Sequence, residues 1–346
     1  MSDFAELNND QRREIVNSRQ RFQAWQQAAG RESGYRGSMV WESAKGQEYL
    51  FRVYYDHTGK RRQKSMGRRS GETETLKQTF ESERADAVER RKNLDAALER
   101  QAGINRALGL GRVPLIAARI LRLLDKRGLL GKGLRVVGTN ALFCYEAACG
   151  VMVDPGVVTT GDIDLLWDAR RRLRLVGDPE LPDASLMQLL KLADRSFDKT
   201  AQSFRAENRD GYLVDLIKPM RNPPWSAEDS ALGDQSDLQA AEIEGLAWLE
   251  NAPAFDQVAI DEKGYPLRIV APDPRVFAIH KHWISKRPGR DPLKRQRDLA
   301  QARAVFALIA EHLIHLPFDM NELRMIPRDI AEDAIGALGV PHPDPA

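Results

Sequence analysis

Apolar side chains recur every third or fourth position in some stretches of this chain and every second position in others, and the switches between the two periods divide it into parts. Up to about residue 30 the sequence is polar, with Phe4, Leu7, Ile15, Phe22 and Trp25 spaced as the packing positions of a helix. "SMVWESAKGQEYLFRVYYDHTGKRRQKSMG" then carries β-branched and aromatic residues in short runs. Breaks at Lys45-Gly46 and at Asp56-His57-Thr58-Gly59 predict a three-stranded antiparallel sheet. From Thr73 to about Ala107, Leu76, Phe80, Leu94 and Leu98 stand among Glu, Arg and Lys with no Pro, which predicts one long amphipathic connector helix. After "LGLGRVP", a helix is expected to open at Pro114 and close at Gly128.

From residue 134 the two periods alternate. "LRVVG" reads as a strand, "TNALFCYEAAC" as a helix, "DIDLLW" as a strand, "RRLRLVG" as a further strand, "SLMQLLKLADR" as a helix and "GYLVDLIKP" as a strand. "FDQVAIDEKGYPLRIVAP" predicts a hairpin around Lys263-Gly264. "DPRVFAIHKHWISKR" and "PLKRQRDLAQARAVFALIAEHL" predict two helices, and the tail "GVPHPDPA" is expected to fray. The predicted class is α/β in the α+β sense: a mixed-sheet core, a helical C-terminal part, and a small N-terminal antiparallel β-module joined by a long helix. The corresponding parts are residues 1–70, 71–112, 113–270 and 271–346.

A chain of 346 residues that is 42% hydrophobic can bury a substantial core. Charged residues make up 29% of it but the formal net charge is only +2, so any preference for polyanions has to come from local clustering. Cys144 and Cys149, five apart in one helical stretch, fit neither a disulfide framework nor a zinc pattern and read as reduced thiols. No apolar run approaches the roughly 20 residues that cross a bilayer, and "MSDFAELNNDQRREIV" lacks the apolar stretch of a secretion signal, so a cytoplasmic location without membrane contact is expected.

The chemistry concentrates in "TTGDIDLLW". Alternation along a strand puts Asp162 and Asp164 on one face while Ile163 points into the core. Two carboxylates held this close repel one another unless a cation lies between them, and an all-oxygen ligand set favours Mg²⁺ or Mn²⁺ together with substrate phosphates. A lone Asp-x-Asp is commonly just a strand end meeting water, so the neighbours decide. Gly138-Thr139 follows a strand and leads into a helix, where a small residue lets phosphate approach the backbone; Thr139 could equally be a helix cap. Asp215 interrupts the apolar run of "GYLVDLIKP", where a buried carboxylate needs a metal, a cation or solvent.

Taken together, Gly138-Thr139, "TGDIDL" with Asp162 and Asp164, and the strand-borne Asp215 resemble the three-part signature of the DNA polymerase β-like nucleotidyltransferase superfamily, over roughly residues 115 to 315. The wording is similar to minimal bacterial nucleotidyltransferases, including those of toxin and abortive-infection modules that act in toxin–antitoxin pairs and phage defence. The resemblance implies that Asp162 and Asp164 hold metal and triphosphate and that Asp215 completes a second metal site and activates an acceptor hydroxyl. It implies further that Gly138 and Thr139 hold phosphates, and that an inhibitory partner protein is conceivable. Two departures stand out: Thr replaces the usual Ser in the turn, and the segment between turn and acids is longer than in compact members.

Such a site transfers a nucleoside monophosphate from a nucleoside triphosphate by in-line attack of an acceptor. Lys281, Lys286, Arg287, Arg290, Lys294 and Arg297 crowd the C-terminal helices. Lys281 is the expected triphosphate contact by similarity, Lys294 and Asp298 are spaced to form a surface pair, and His280 and His282 are expected to finish the helix surface. Trp167 and Trp225 are either core residues or base-stacking platforms. In the N-terminal part, Lys60, Arg61, Arg62, Lys64, Arg68 and Arg69 lie beside Tyr49, Phe51, Tyr54 and Tyr55, a combination suited to RNA as well as to a solvated loop. RNA, with a tRNA 3′ end in view, is therefore the favoured acceptor. Nucleotide cyclisation or oligonucleotide synthesis, and noncatalytic nucleic-acid binding, are the alternatives.

Overall fold

The computed structural model describes residues 4–56, 59–168, 185–221 and 237–339. Strand β1 (Phe4–Glu6) precedes helix α1 (Asn9–Gly34), which starts where the Asn8 side chain accepts from the Gln11 N–H and the Gln11 side chain accepts from the Asn8 N–H. This cap corrects the expected helix pattern. Phe4 and Leu7 lie before the helix: Phe4 sits in β1 edge-on to His312, and Leu7 packs with Leu110 and Ile260.

The predicted three-stranded sheet is present as β2 (Ser38–Ala44), β3 (Gln47–Tyr55) and β4 (Arg61–Arg68), in that order and antiparallel. Lys45 and Gly46 both adopt positive φ, as a two-residue hairpin turn with the right-handed strand twist requires. The second turn falls partly outside the described residues. One face of the sheet, with Met39, Leu50 and Met66, packs on Phe80. Phe80 belongs to α2 (Gly71–Ala107), whose last turns bury Leu98, Gln101, Ala102 and Asn105.

Helix α3 (Leu115–Lys126) follows Pro114 and ends before Gly128, as predicted. The chain continues through β5 (Leu134–Val137), a 3₁₀ turn (Gly138–Ala141), α4 (Leu142–Cys149), β6 (Val151–Val153), the short α5 (Pro155–Val158) and β7 (Asp162–Trp167). Then come α6 (Leu186–Ala193), β8 (Asp198–Lys199), β9 (Arg205–Glu207), β10 (Leu213–Pro219), β11 (Ala241–Ile243) and α7 (Leu246–Asn251). The predicted hairpin is β12 (Ala254–Ile260) with β13 (Pro266–Pro272), followed by α8 (Pro274–Ser285), α9 (Pro292–His312) and α10 (Arg328–Leu338). The strand expected at "RRLRLVG" and most of the tail lie outside the described residues.

The central sheet is mixed, in the order β5-β7-β10-β9-β8, with β11 pairing beside the end of β10. Strands β7 and β10 are parallel, and β5 and β9 flank them antiparallel. Ile163, Leu165, Val214 and Leu216 face one side and are fully buried; at about 2 kcal/mol per side chain they fix the register firmly. A slip of one residue would drive the acids of the opposite face into the core. Strand β1 pairs with β6, so the start of the described chain is tied to this core. Both cysteines are on α4 and free, and burial pushes their thiols up, Cys149 to about 12. Among the described residues, no helix is long and apolar enough to cross a membrane.

Candidate active site

Asp164 and Asp215 are directly paired across the parallel β7–β10 ladder, and Asp162 lies two positions earlier on the same face as Asp164. The spacing read from the sequence thus brings all three acids to one patch of sheet. Thr160 donates its hydroxyl to Asp162. On the other side of β7 the Gly138 turn closes in. Gly138 has φ +63°, and a Cβ there would stand 2.0 Å from an Asp164 carboxylate oxygen, so this position admits glycine on both conformational and steric grounds. Asn140 donates to the Asp162 carbonyl at 2.6 Å and locks the turn to the acid strand.

Two expectations about this turn change. It is a 3₁₀ turn rather than the first turn of the helix, and Thr139 is buried with its hydroxyl accepting from Gln301 of α9 at 3.0 Å. Thr139 therefore anchors the turn to α9.

The electrostatics of the acids follow from their burial. The Asp164 carboxyl is raised to about 7, first by desolvation and then by Asp162, with Asp215 adding to the repulsion; Lys281 and Arg297 oppose the rise. Asp215, 7% exposed, is held by Arg205 of β9, whose Nε and one terminal nitrogen donate to the two carboxylate oxygens at 2.7 and 2.6 Å. Of the partners open for Asp215, a cation is the one present. Arg205 was not singled out in the sequence, although the signal is there. "RAENRDGYLVD" is a tight hairpin in which Asn208 accepts from the N–H groups of Asp210 and Tyr212, and its register sets Arg205 opposite Asp215. Among the described residues, no group of three His, Cys, Asp or Glu side chains is gathered closely enough to hold a metal, and Asp215 is engaged by Arg205.

The basic cluster divides. Lys281 is buried and donates to Asp298 at 2.7 Å, and Arg290 donates to the other oxygen of Asp298 at 2.8 Å. The surface pair between Lys294 and Asp298 does not form, because Asp298 is 0% exposed and turned inward to Lys281 and Arg290 while Lys294 stays in solvent. Arg297 has a buried Nε without a hydrogen-bond partner among the described residues. Lys286 pairs with Asp333 and Arg287 with Glu244. His280 and His282 are buried rather than on the helix surface. Burial, reinforced by Lys281, drives His280 down to about 3, and its ring packs against both Trp248 and Trp283, which also touch each other. Trp167 is 3% exposed and belongs to the core; Trp225 lies outside the described residues.

The N-terminal basic residues are spread over both faces of their sheet. Arg61 and Arg68 pair across from Tyr55 and Tyr49, and Arg62 and Lys64 from Tyr54 and Arg52 on the face toward α2. Arg62 pairs with Asp56, Arg69 with Glu48 and Glu74, and Arg61 reaches Glu42 at 3.5 Å; Arg68 lies over the Tyr49 ring. Lys60 and Lys64 are exposed.

No curated protein and no solved structure matches this chain. A family model described as nucleotidyltransferase matches residues 116–326, which run from α3 almost to α10 and contain the Gly138 turn, the three acids and Lys281. Since that span is more than half of its length, the chain belongs to the nucleotidyltransferase family.

Proposed function

We propose that the protein transfers a nucleoside monophosphate from a nucleoside triphosphate to an acceptor hydroxyl, at a site built from Asp162, Asp164 and Asp215 under the Gly138 turn. The observation that carries this reading is the register: Asp164 opposite Asp215, with Asp162 on the same face. Asp162 and Asp164 would hold Mg²⁺ or Mn²⁺, and the fit rests on their donor set, two partly exposed carboxylates on one face of β7 beside Asp215, whose mutual repulsion a hard divalent ion relieves. When bound, the ion neutralises charge on the attacking and leaving oxygens. Asp215, once released by Arg205, accepts the proton of the acceptor hydroxyl. In this reading the backbone at Gly138 and Thr139 receives phosphate, and Lys281 and Arg297, cations whose charge reaches Asp164, oppose the charge of the triphosphate.

RNA, including a tRNA 3′ end, is the acceptor we favour. Lys60, Lys64, Arg61 and Arg68 with the neighbouring tyrosines support it, as phosphate contacts beside stacking surfaces. A cytoplasmic setting, and a role in a toxin–antitoxin or phage-defence pair with an inhibitory partner, are the context that the sequence resemblance suggests. The test is incubation with each of the four α-labelled nucleoside triphosphates and Mg²⁺, with and without total RNA, for the wild type and Asp162→Ala/Asp164→Ala. Label on RNA that disappears in the variant supports the reading. Label only in a small nucleotide product points to cyclisation or oligonucleotide synthesis. No label with any triphosphate, alongside RNA binding that the variant retains, overturns it in favour of noncatalytic binding.

A further inference from the structure

Three strand positions, Asp164, Asp215 and Arg205, stand side by side across β7, β10 and β9 on one face of the sheet. Neighbouring strands are about 4.8 Å apart, so the guanidinium occupies the flank of Asp215 away from Asp164, as a fixed consequence of register rather than of one rotamer. Both oxygens of Asp215 are taken by the fork. A guanidinium does not lose its proton at any ordinary pH, so Asp215 is freed only when the side chain moves. It has somewhere to go: the Arg205 side chain is 28% exposed and already lies over the Phe204 ring, 5.5 Å from its centroid.

We infer that Arg205 is a resident counter-ion standing in for a second divalent cation at Asp215, so that the nucleotide-free site takes up one ion, at Asp162 and Asp164, instead of two. This rests on the proposed metal-dependent transfer. It goes beyond that reading by making the third acid conditional: Asp215 joins the site only after a cation or phosphate competes the fork away. A positively charged group fixed beside an anion disfavours a second cation there by simple repulsion, while neither Asp162 nor Asp164 is held by a guanidinium fork of this kind.

The test counts Mn²⁺ bound to the full chain without nucleotide, by loss of the free-ion signal in electron paramagnetic resonance. The wild type is expected to bind one Mn²⁺ per chain, and Arg205→Ala and Arg205→Gln two. Arg205→Ala/Asp215→Asn should return to one, and Asp162→Asn/Asp164→Asn should lose the single ion of the wild type. Two ions on the wild type would overturn the inference with no variant needed. So would one ion on Arg205→Ala and Arg205→Gln when circular dichroism shows both folded. No ion on any of the proteins would remove the metal-dependent reading itself, and the inference with it.

Discussion

Asp298 in α9 is fully buried and holds Lys281 and Arg290 in place, whereas Arg69 beside the N-terminal sheet is half-exposed and meets Glu48 and Glu74, themselves about as exposed, at the surface. Both are ion pairs at hydrogen-bonding distance, yet they differ in what their loss would leave behind. Removing Asp298 strands two cations in protein; removing Arg69 leaves two carboxylates that water already reaches. The central sheet and the helices beside it follow the first pattern, with Asp164, Asp215 and the α8 residue Lys281 each needing its neighbours. The N-terminal sheet follows the second, in which charge is cheap to rearrange and available to an outside partner.

The largest contrast is expected in chemistry. Asp162→Ala/Asp164→Ala should cut transfer by at least about a thousand-fold in the labelling assay while leaving circular dichroism unchanged. Next comes Asp298→Ala, which should destabilise by about 3–5 kcal/mol in urea unfolding because Lys281 and Arg290 lose their shared partner. A cost below about 1 kcal/mol would erase the distinction drawn between the two regions. Gly138→Ala should cost about 1–2 kcal/mol from its left-handed φ, more from displacing Asp164, and should lower transfer at least tenfold.

Asp164→Asn should do the reverse, stabilising the metal-free protein by about 1–3 kcal/mol at pH 8. The carboxyl is raised from 3.8 to about 7 on folding, so the folded state holds the proton more tightly and ionisation costs stability as pH rises through that window. Thermal unfolding with a chelator should show the gain above pH 7 and its absence below about pH 4. The smallest effect is expected for Lys60→Ala/Lys64→Ala/Arg68→Ala: stability within about 0.5 kcal/mol, but weaker binding of single-stranded RNA and a shallower salt dependence by fluorescence anisotropy.

How far the sequence foretold this follows from which interactions are local. The hairpins at Lys45-Gly46 and Lys263-Gly264, the Pro114 helix start and the alternation in "DIDLLW" depend on neighbours along the chain, and they stand where expected. That Asp215 stands on a strand beside Asp164 was expected from the resemblance, but their direct pairing is set by the register of buried Ile163, Leu165, Val214 and Leu216 across the two strands. Asp298 was misplaced because i, i+4 spacing to Lys294 is visible along a helix, while its real partners come from α8 and the turn before α9. The bond from Gln301 to the Thr139 hydroxyl is equally invisible along the chain, since the two lie 162 residues apart. Phe4 fits a helical period by chance; its strand partner in β6 is far off in sequence.

That last pairing has a practical side. The chain enters the core at β1, leaves through α1, builds the basic sheet, and returns along α2 to a point where Leu7, Leu110 and Ile260 pack together and Gln11 donates to the Leu108 carbonyl. Departure and return are therefore neighbours in space, and the whole excursion has the topology of an insert. Trimming from the front would strip β1 from β6 and uncover the site of Phe4, damaging the catalytic part before the basic sheet is reached. Excising only the sheet and the outer turns of α1 and α2 would keep β1 in place together with the bonds from Arg19 to the Ala147 carbonyl and from Asn105 to the Gly264 carbonyl, so the inner ends of the two helices are the natural points at which to exchange the module.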